Sequence, residues 1–295
     1  MLVMFTLCLF LIKLISYTPF CILYKISSFL ALICYLIPVV RKVPYRNFYR
    51  VYYDLPDKKL KMMTYRYLRA YLDFLFEMAK MTSFDEEKIK RHCVFKNLEL
   101  LEQLAQKHQF ILCFGGHMVN YEMLTSLPLH TTDVGMCHLY LASAEFANNK
   151  GVKWMLEQRS KYGAVNVPSN NPLRTILKLK KEMDEGTSPY KSYVFGSLSD
   201  LDPKRDDKHA VPFLDHMLEV KTGAEKLARK LNMGFCYAHI RRPKRGYYEV
   251  EIKEMHPQTD PDVDEYAYTD EFVRMFEQNV KESPELWMQW GGYRF

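Results

Sequence analysis

The chain has 295 residues, 48% of them hydrophobic and 26% charged, enough to build a sizeable core and too apolar for disorder. Its formal net charge of +6 is too mild to point to nucleic acid, its seven cysteines contain no CxxC pair, which argues against a structural zinc site, and nothing in their placement suggests a disulfide framework. Aromatics reach 14%, a level that suits lipid interfaces or apolar ligands as well as a tyrosine-rich core.

The first forty residues differ from the rest. Met1 to Val40 carries two charges, Lys13 and Lys25, within three apolar runs. About twenty apolar residues span a bilayer core, so the stretch is long enough for one tilted helix or for a helical hairpin broken near Pro19. A helix lying in the membrane plane and a cleaved signal peptide are the alternatives. Arg41, Lys42, Arg46 and Arg50 follow at once, and positive charge beside a membrane segment places the remainder in the cytoplasm. Residues 1–40 are therefore read as a membrane anchor and 41–295 as one domain.

From Lys58 to Met81, Leu60, Met63, Tyr67, Leu68, Tyr71, Leu72 and Leu75 recur at helical spacing and predict an amphipathic helix. A second helix is expected over Asn97–Lys107. Short apolar runs at 109–114, 133–140, 193–198 and 234–240 predict strands, with helices between them at 143–162, 171–184 and 220–231. GYYEVEIKEM, 246–255, alternates as a strand does, and 264–282 reads as a last helix. Strands alternating with helices predict an α/β fold with a mostly parallel central sheet flanked by helices.

The stretch ILCFGGHMVNYEML, 111–124, holds the candidate chemistry. With 9 His and 35 Asp+Glu, roughly one histidine should have a carboxylate five residues downstream by chance, and one does, so the setting must carry the meaning. His117 follows an apolar run and two glycines, at the carboxyl end of an expected strand, where open α/β sheets bind ligands. Two readings stay open. In one, Glu122 fixes the tautomer of His117 and stabilises its imidazolium while the ring takes a proton from a hydroxyl. In the other, Glu122 complements a helix dipole and His117 is a hydrogen-bonded turn residue. The dinucleotide, P-loop, nucleophile-elbow and HExxH signatures are absent.

GGHMVNYE resembles the GHxGNWE block of the bacterial lipid A biosynthesis acyltransferases, within the wider H-x4-D/E glycerolipid and lysophospholipid acyltransferase group. The likeness continues through VPYRNFYRVYYDLP, HLYLASAEFANNK, MLEQRSKYGA, NPLRTILKLKKEMDEG, YVFGSLSD, the long segment from VPFLD to YYEVEI, and PELWMQWGGYRF. Each motif is short; their order over more than two hundred residues is specific. The departures are Tyr121 where the family has Trp, PFLD for an FFG segment, GGYR for a terminal HRR, and no Gln after Asp200.

The resemblance implies acyl transfer from a thioester, on acyl carrier protein or coenzyme A, to a hydroxyl of a membrane lipid, in the family a lipid A precursor. It requires no cofactor or metal. It makes His117 and Glu122 the catalytic pair and puts oxyanion donors on the backbone of Gly115 and Gly116. Asn120, Arg159, Asp200 and Arg241 become the substrate-side residues, with Arg159 the candidate for an acceptor phosphate. It places the enzyme on the cytoplasmic side of a bacterial inner membrane. Another lipid acceptor (a lysophospholipid or an amino-acid lipid), a thioester hydrolase, and a non-catalytic lipid-binding protein on the same fold are the alternatives. IRRPKRG, with Arg241, Arg242, Lys244 and Arg245, is either a surface for anionic partners or a solvated turn.

Overall fold

A computed structural model describes residues 2–140, 149–168, 170–200 and 208–292, with side chains omitted at 2–5 and 208. Its centre is a seven-stranded sheet in the order β1-β9-β8-β2-β5-β3-β4, formed by β1 (Cys93–Lys96), β2 (Phe110–Gly115), β3 (Val134–Tyr140), β4 (Val165–Pro168), β5 (Ser192–Leu198), β8 (Gly234–Lys244) and β9 (Tyr247–Lys253). All neighbours run parallel except β8 and β9, which form an antiparallel hairpin. The apolar runs did become strands because each is buried on both faces, as strands in covered parallel sheets are; β2 is buried at all six positions. The short β1 and β4, and the separate hairpin of β6 (Lys208–Phe213) and β7 (His216–Lys221), were not expected from the sequence. The helix expected from residue 220 is correspondingly shorter.

The helices are α1 (Leu2–Tyr17), α2 (Phe20–Leu36), α3 (Pro38–Val51), α4 (Asp57–Met81), α5 (Glu86–His92), α6 (Leu98–Ala105), α7 (Lys150–Ser160), α8 (Pro172–Asp184), α9 (Gly223–Lys230) and α10 (Ala267–Glu282). Residues 141–148 of the helix expected over 143–162 lie mostly outside the described residues. A 3₁₀ segment, Tyr121–Leu129, follows β2 where an α-helix was anticipated, and it has Pro128 inside it. α10 covers the core with Phe272 and Phe276, stacked at 5.6 Å between ring centres.

The N-terminal region corrects the expectation of a simple anchor. The chain breaks before Pro19, as a hairpin requires, but it breaks again at Ile37, where α2 and α3 meet at 88°. Among the described residues no single helix is long and apolar enough to cross a membrane; only the bent α2–α3 pair passes by length and composition. α2 instead lies on α4, burying Leu23, Ser27 and Ala31 at a four-residue repeat. Lys80 of α4 caps α1 and its following turn by donating to the carbonyls of Ser16 (2.7 Å) and Thr18 (2.6 Å). The opposite faces stay apolar and exposed: Leu7, Phe10, Leu14 and Tyr17 on α1, and Ile22, Ile26, Phe29, Ile33 and Leu36 on α2.

Half of the basic cluster is internal, while Arg241 and Lys244 stay exposed. Arg245 pairs with Asp73 of α4 at 2.5 Å and lies over the Tyr24 ring, and Arg242 approaches the same carboxylate at 3.4 Å. These two arginines fasten the β8–β9 hairpin to α2 and α4 and do not form a free surface.

Candidate active site

β2 ends at Gly115, whose carbonyl accepts from the Ser199 N–H at 3.1 Å. Gly116 is the first residue beyond it. A Cβ there would lie 2.0 Å from the Phe276 ring, so packing against α10 demands glycine. The chain then presents His117, 14% exposed at its side chain. Its Nδ1 lies 2.6 Å from Oδ1 of Asp200, and its backbone N–H donates to Oδ2 of the same carboxylate at 3.1 Å. Asp200 stands two residues past β5, the strand beside β2, and is fully buried. Trp287 adds a third donor, its indole N–H to Oδ2 at 2.9 Å. Burial alone would raise the Asp200 carboxyl, but the charge and hydrogen bonds of His117 and the Trp287 indole hold it below the usual carboxylate range. An ionised carboxylate only accepts, so the neutral imidazole carries its proton on Nδ1 and keeps a lone pair on Nε2. The Tyr121 ring meets His117 edge-on at 5.0 Å, and burial pushes its phenol up to about 12.

The C-terminal segment clamps this loop. Val119 N–H donates to the Leu286 carbonyl at 3.0 Å and Met288 N–H to the His117 carbonyl at 2.9 Å. Asn47 of α3 in turn donates to the carbonyls of Trp290 (2.9 Å) and Gly292 (2.6 Å), and Phe48 packs on the Trp290 ring at 4.4 Å. The resemblance quoted PELW without giving Trp287 a role at the site. Its place in PELWMQWGGYRF, which resembles the family's terminal segment, was the available signal. Trp287→Phe keeps an aromatic ring and removes the indole N–H. A hydrogen bond to a charged group is worth about 1.5–3 kcal/mol, so kcat should fall roughly ten- to a hundredfold while KM holds, as steady-state acyl transfer would show.

The chain matches the family model of the bacterial lipid A biosynthesis acyltransferases over residues 1–290. It belongs to that family. A comparison with curated proteins gave no match. The family match runs from α1 to the C-terminal clamp, so it takes in His117, Asp200 and Trp287 together.

Within this family frame the remaining expected residues fall into place unevenly. Glu122 does not orient His117. Both of its oxygens are held by Arg159 of α7, Nε to Oε2 at 2.8 Å and Nη2 to Oε1 at 2.5 Å, in a bidentate pair that is almost wholly buried. The carboxylate on the histidine is Asp200, brought in by the sheet from 83 residues away. The same pairing means that Arg159, expected at an acceptor phosphate, is already neutralised. Asn120 is buried, with its amide toward Glu77 (3.5 Å) and the Met81 sulfur (3.6 Å) of α4, and so faces the core. Gly115 lies inside β2 in register with Leu198, which leaves Gly116 as the glycine beyond the ladder. Arg241 lies on β8 past the end of the β2 pairing, its guanidinium between Glu282 (3.5 Å) and Glu251 (3.7 Å). Among the described residues no group of three or more His, Cys, Asp or Glu is arranged to hold a metal ion.

An apolar cavity of about 220 Å³ opens beside the ion pair, lined by Leu75, Met78, Met81, Trp154 and Met155 together with Glu122 and Arg159. Tyr121, next in sequence to Glu122 of the cavity wall, contacts His117 on one side and Phe74 of α4 on the other, at 5.6 Å.

Proposed function

We propose that the chain transfers a fatty acyl group from an acyl thioester, on acyl carrier protein or coenzyme A, to a hydroxyl of a lipid A precursor at the cytoplasmic face of a bacterial inner membrane. The observation that carries this reading is that Nδ1 of His117 is held by buried Asp200, itself bonded by Trp287, which leaves the ring's lone pair on Nε2. Nε2 takes the acceptor's hydroxyl proton as the oxygen attacks the thioester carbonyl carbon. The carbonyl electrons move to oxygen, and Asp200 stabilises the imidazolium. On collapse the C–S bond breaks and the thiolate takes the proton back from Nε2. No covalent enzyme intermediate is needed. The Gly116 N–H serves as a backbone donor to the oxyanion, as proposed for the glycine pair.

The donor's acyl chain takes the apolar cavity. Trp154→Ala should enlarge it and move preference toward longer chains. The change in kcat/KM ratio between neighbouring even-numbered thioesters should be about tenfold, read in a competition of decanoyl to octadecanoyl donors. The bilayer covers the exposed stripes of α1 and α2, which lie in the membrane plane with the α3 cations at the headgroups. Replacing Phe10, Leu14, Phe29 and Ile33 with serine should abolish co-flotation with anionic vesicles and leave the melting temperature within a few degrees.

The direct test is transfer from lauroyl thioesters to a tetra-acylated lipid A precursor by wild type and His117→Ala. Loss of transfer in the variant supports the reading, and retained transfer overturns it. The neutralised Arg159 favours a second reading, in which the acceptor is a less anionic lyso-lipid. The same assay with lysophospholipid and amino-acid lipid acceptors decides between the two.

A further inference from the structure

The site contains a second imidazole. His138 lies near the carboxyl end of β3, in register with Gly196 of β5 on one side and Asn166 of β4 on the other; Gly196 is in turn in register with Cys113 of β2. Side chains alternate along a strand, so His138 shares a face with Met136, which lines one small cavity together with Leu124 and Leu127 of the 3₁₀ segment. That segment carries Glu122. Gly196 lies between β3 and β2, level with Cys113, and the Met136 methyl packs over it, 3.2 Å from where a Cβ would stand. The charged and titratable groups around the ring are Arg159, Glu122 and His117.

His138 is 9% exposed. Among the described residues no hydrogen bond or ion pair reaches its ring nitrogens, and they are not among the buried polar atoms sealed from water. A ring nitrogen at a site that has no protein partner is available to a ligand. Burial, with Arg159 and His117 alongside, lowers its pKa to about 4 and keeps it uncharged. A neutral imidazole can donate to an oxygen gaining negative charge without surrendering its proton.

We propose that His138 touches the substrate, donating a ring N–H to the carbonyl oxygen of the donor thioester and to the oxyanion formed when the acceptor hydroxyl adds. This rests on the acyl-transfer reading. The placement follows from the two neighbours: the hydroxyl is held at His117, the acyl chain enters beside Glu122 and Arg159, and the reacting carbonyl joins the two.

The test compares wild type, His117→Ala, His138→Ala and His138→Gln with lauroyl-coenzyme A as donor and the acceptor that supports transfer. His138→Ala should lower kcat by about 10²–10³-fold, with both KM values within threefold. His138→Gln, which restores a neutral N–H, should recover at least tenfold of that loss. A readout independent of turnover uses ¹⁵N-histidine-labelled wild type: a non-reacting ketone analogue of the thioester should move the His138 ring N–H resonance. If His138→Ala keeps activity within threefold while His117→Ala is inactive, or the ketone leaves the resonance in place, the His138 assignment falls and the acyl-transfer reading stands. A rise confined to the acceptor's KM likewise overturns contact with the donor. Full activity in His117→Ala overturns the acyl-transfer reading and this inference with it.

Discussion

Asp200→Asn is expected to lower kcat by about 10⁴-fold with little change in KM. The geometry dictates how the asparagine sits. At the Oδ2 position two N–H groups converge, from the His117 backbone and the Trp287 indole, so the amide oxygen must occupy it. The amide nitrogen then takes the Oδ1 position, 2.6 Å from Nδ1, and points a donor at it. Nδ1 must accept, the ring proton moves to Nε2, and the lone pair that removes the acceptor's proton is lost. Steady-state transfer measures the loss, and histidine ¹⁵N shifts report the tautomer. Activity within tenfold of wild type would mean that another group serves His117. A stability consequence has a definite sign. Asp200 has a folded pKa below its unfolded value, so it contributes stability that is fully present above about pH 4 and is lost as pH falls through the lower, folded value. The gap in melting temperature between wild type and Asp200→Asn should therefore be widest near neutral pH and narrow below about pH 4.

What the sequence revealed followed the range of its signals. Buried strands announce themselves locally, and β2, β3, β5, β8 and β9 lie close to the apolar runs that predicted them. β1 and β4, at four residues each, are too short for a run to register. The β6–β7 hairpin turns through Leu214 and Asp215, both at positive φ, without the glycine or asparagine that usually marks such a turn. His117 was legible because a strand end followed by glycines is a local pattern. Its carboxylate was not, because β5 is inserted between β2 and β3, and only that crossover brings Asp200 beside His117. A spacing of five residues pointed to Glu122, the nearest carboxylate in sequence, whose actual partner is a guanidinium on α7. Composition likewise marked the first forty residues as apolar. It could not show that Leu23, Ser27 and Ala31 bury one face of α2 on α4 while the other face stays open.

Glu122→Leu is the second substitution with a large expected effect, and it separates the two roles open to that carboxylate. In the structure Glu122 compensates Arg159, whose side chain is only 12% exposed beside an apolar cavity. Removing one member of a buried pair leaves an unpaired charge and costs about 3–5 kcal/mol. At roughly 2–4 °C per kcal/mol for a chain of this size, the melting temperature should fall by about 10 °C. Replacing both members, Glu122→Leu with Arg159→Met, removes the stranded charge along with its partner. The double variant should regain most of the stability, giving a coupling energy of a few kcal/mol in a double-mutant cycle. Activity then discriminates. A carboxylate acting on His117 would be missing from both variants, and the double variant would be as inactive as His117→Ala. If Glu122 works through Arg159, by holding α7 and the cavity wall against the 3₁₀ segment, the double variant recovers part of kcat along with its stability. Recovered stability with no recovered turnover would return Glu122 to direct participation in the reaction.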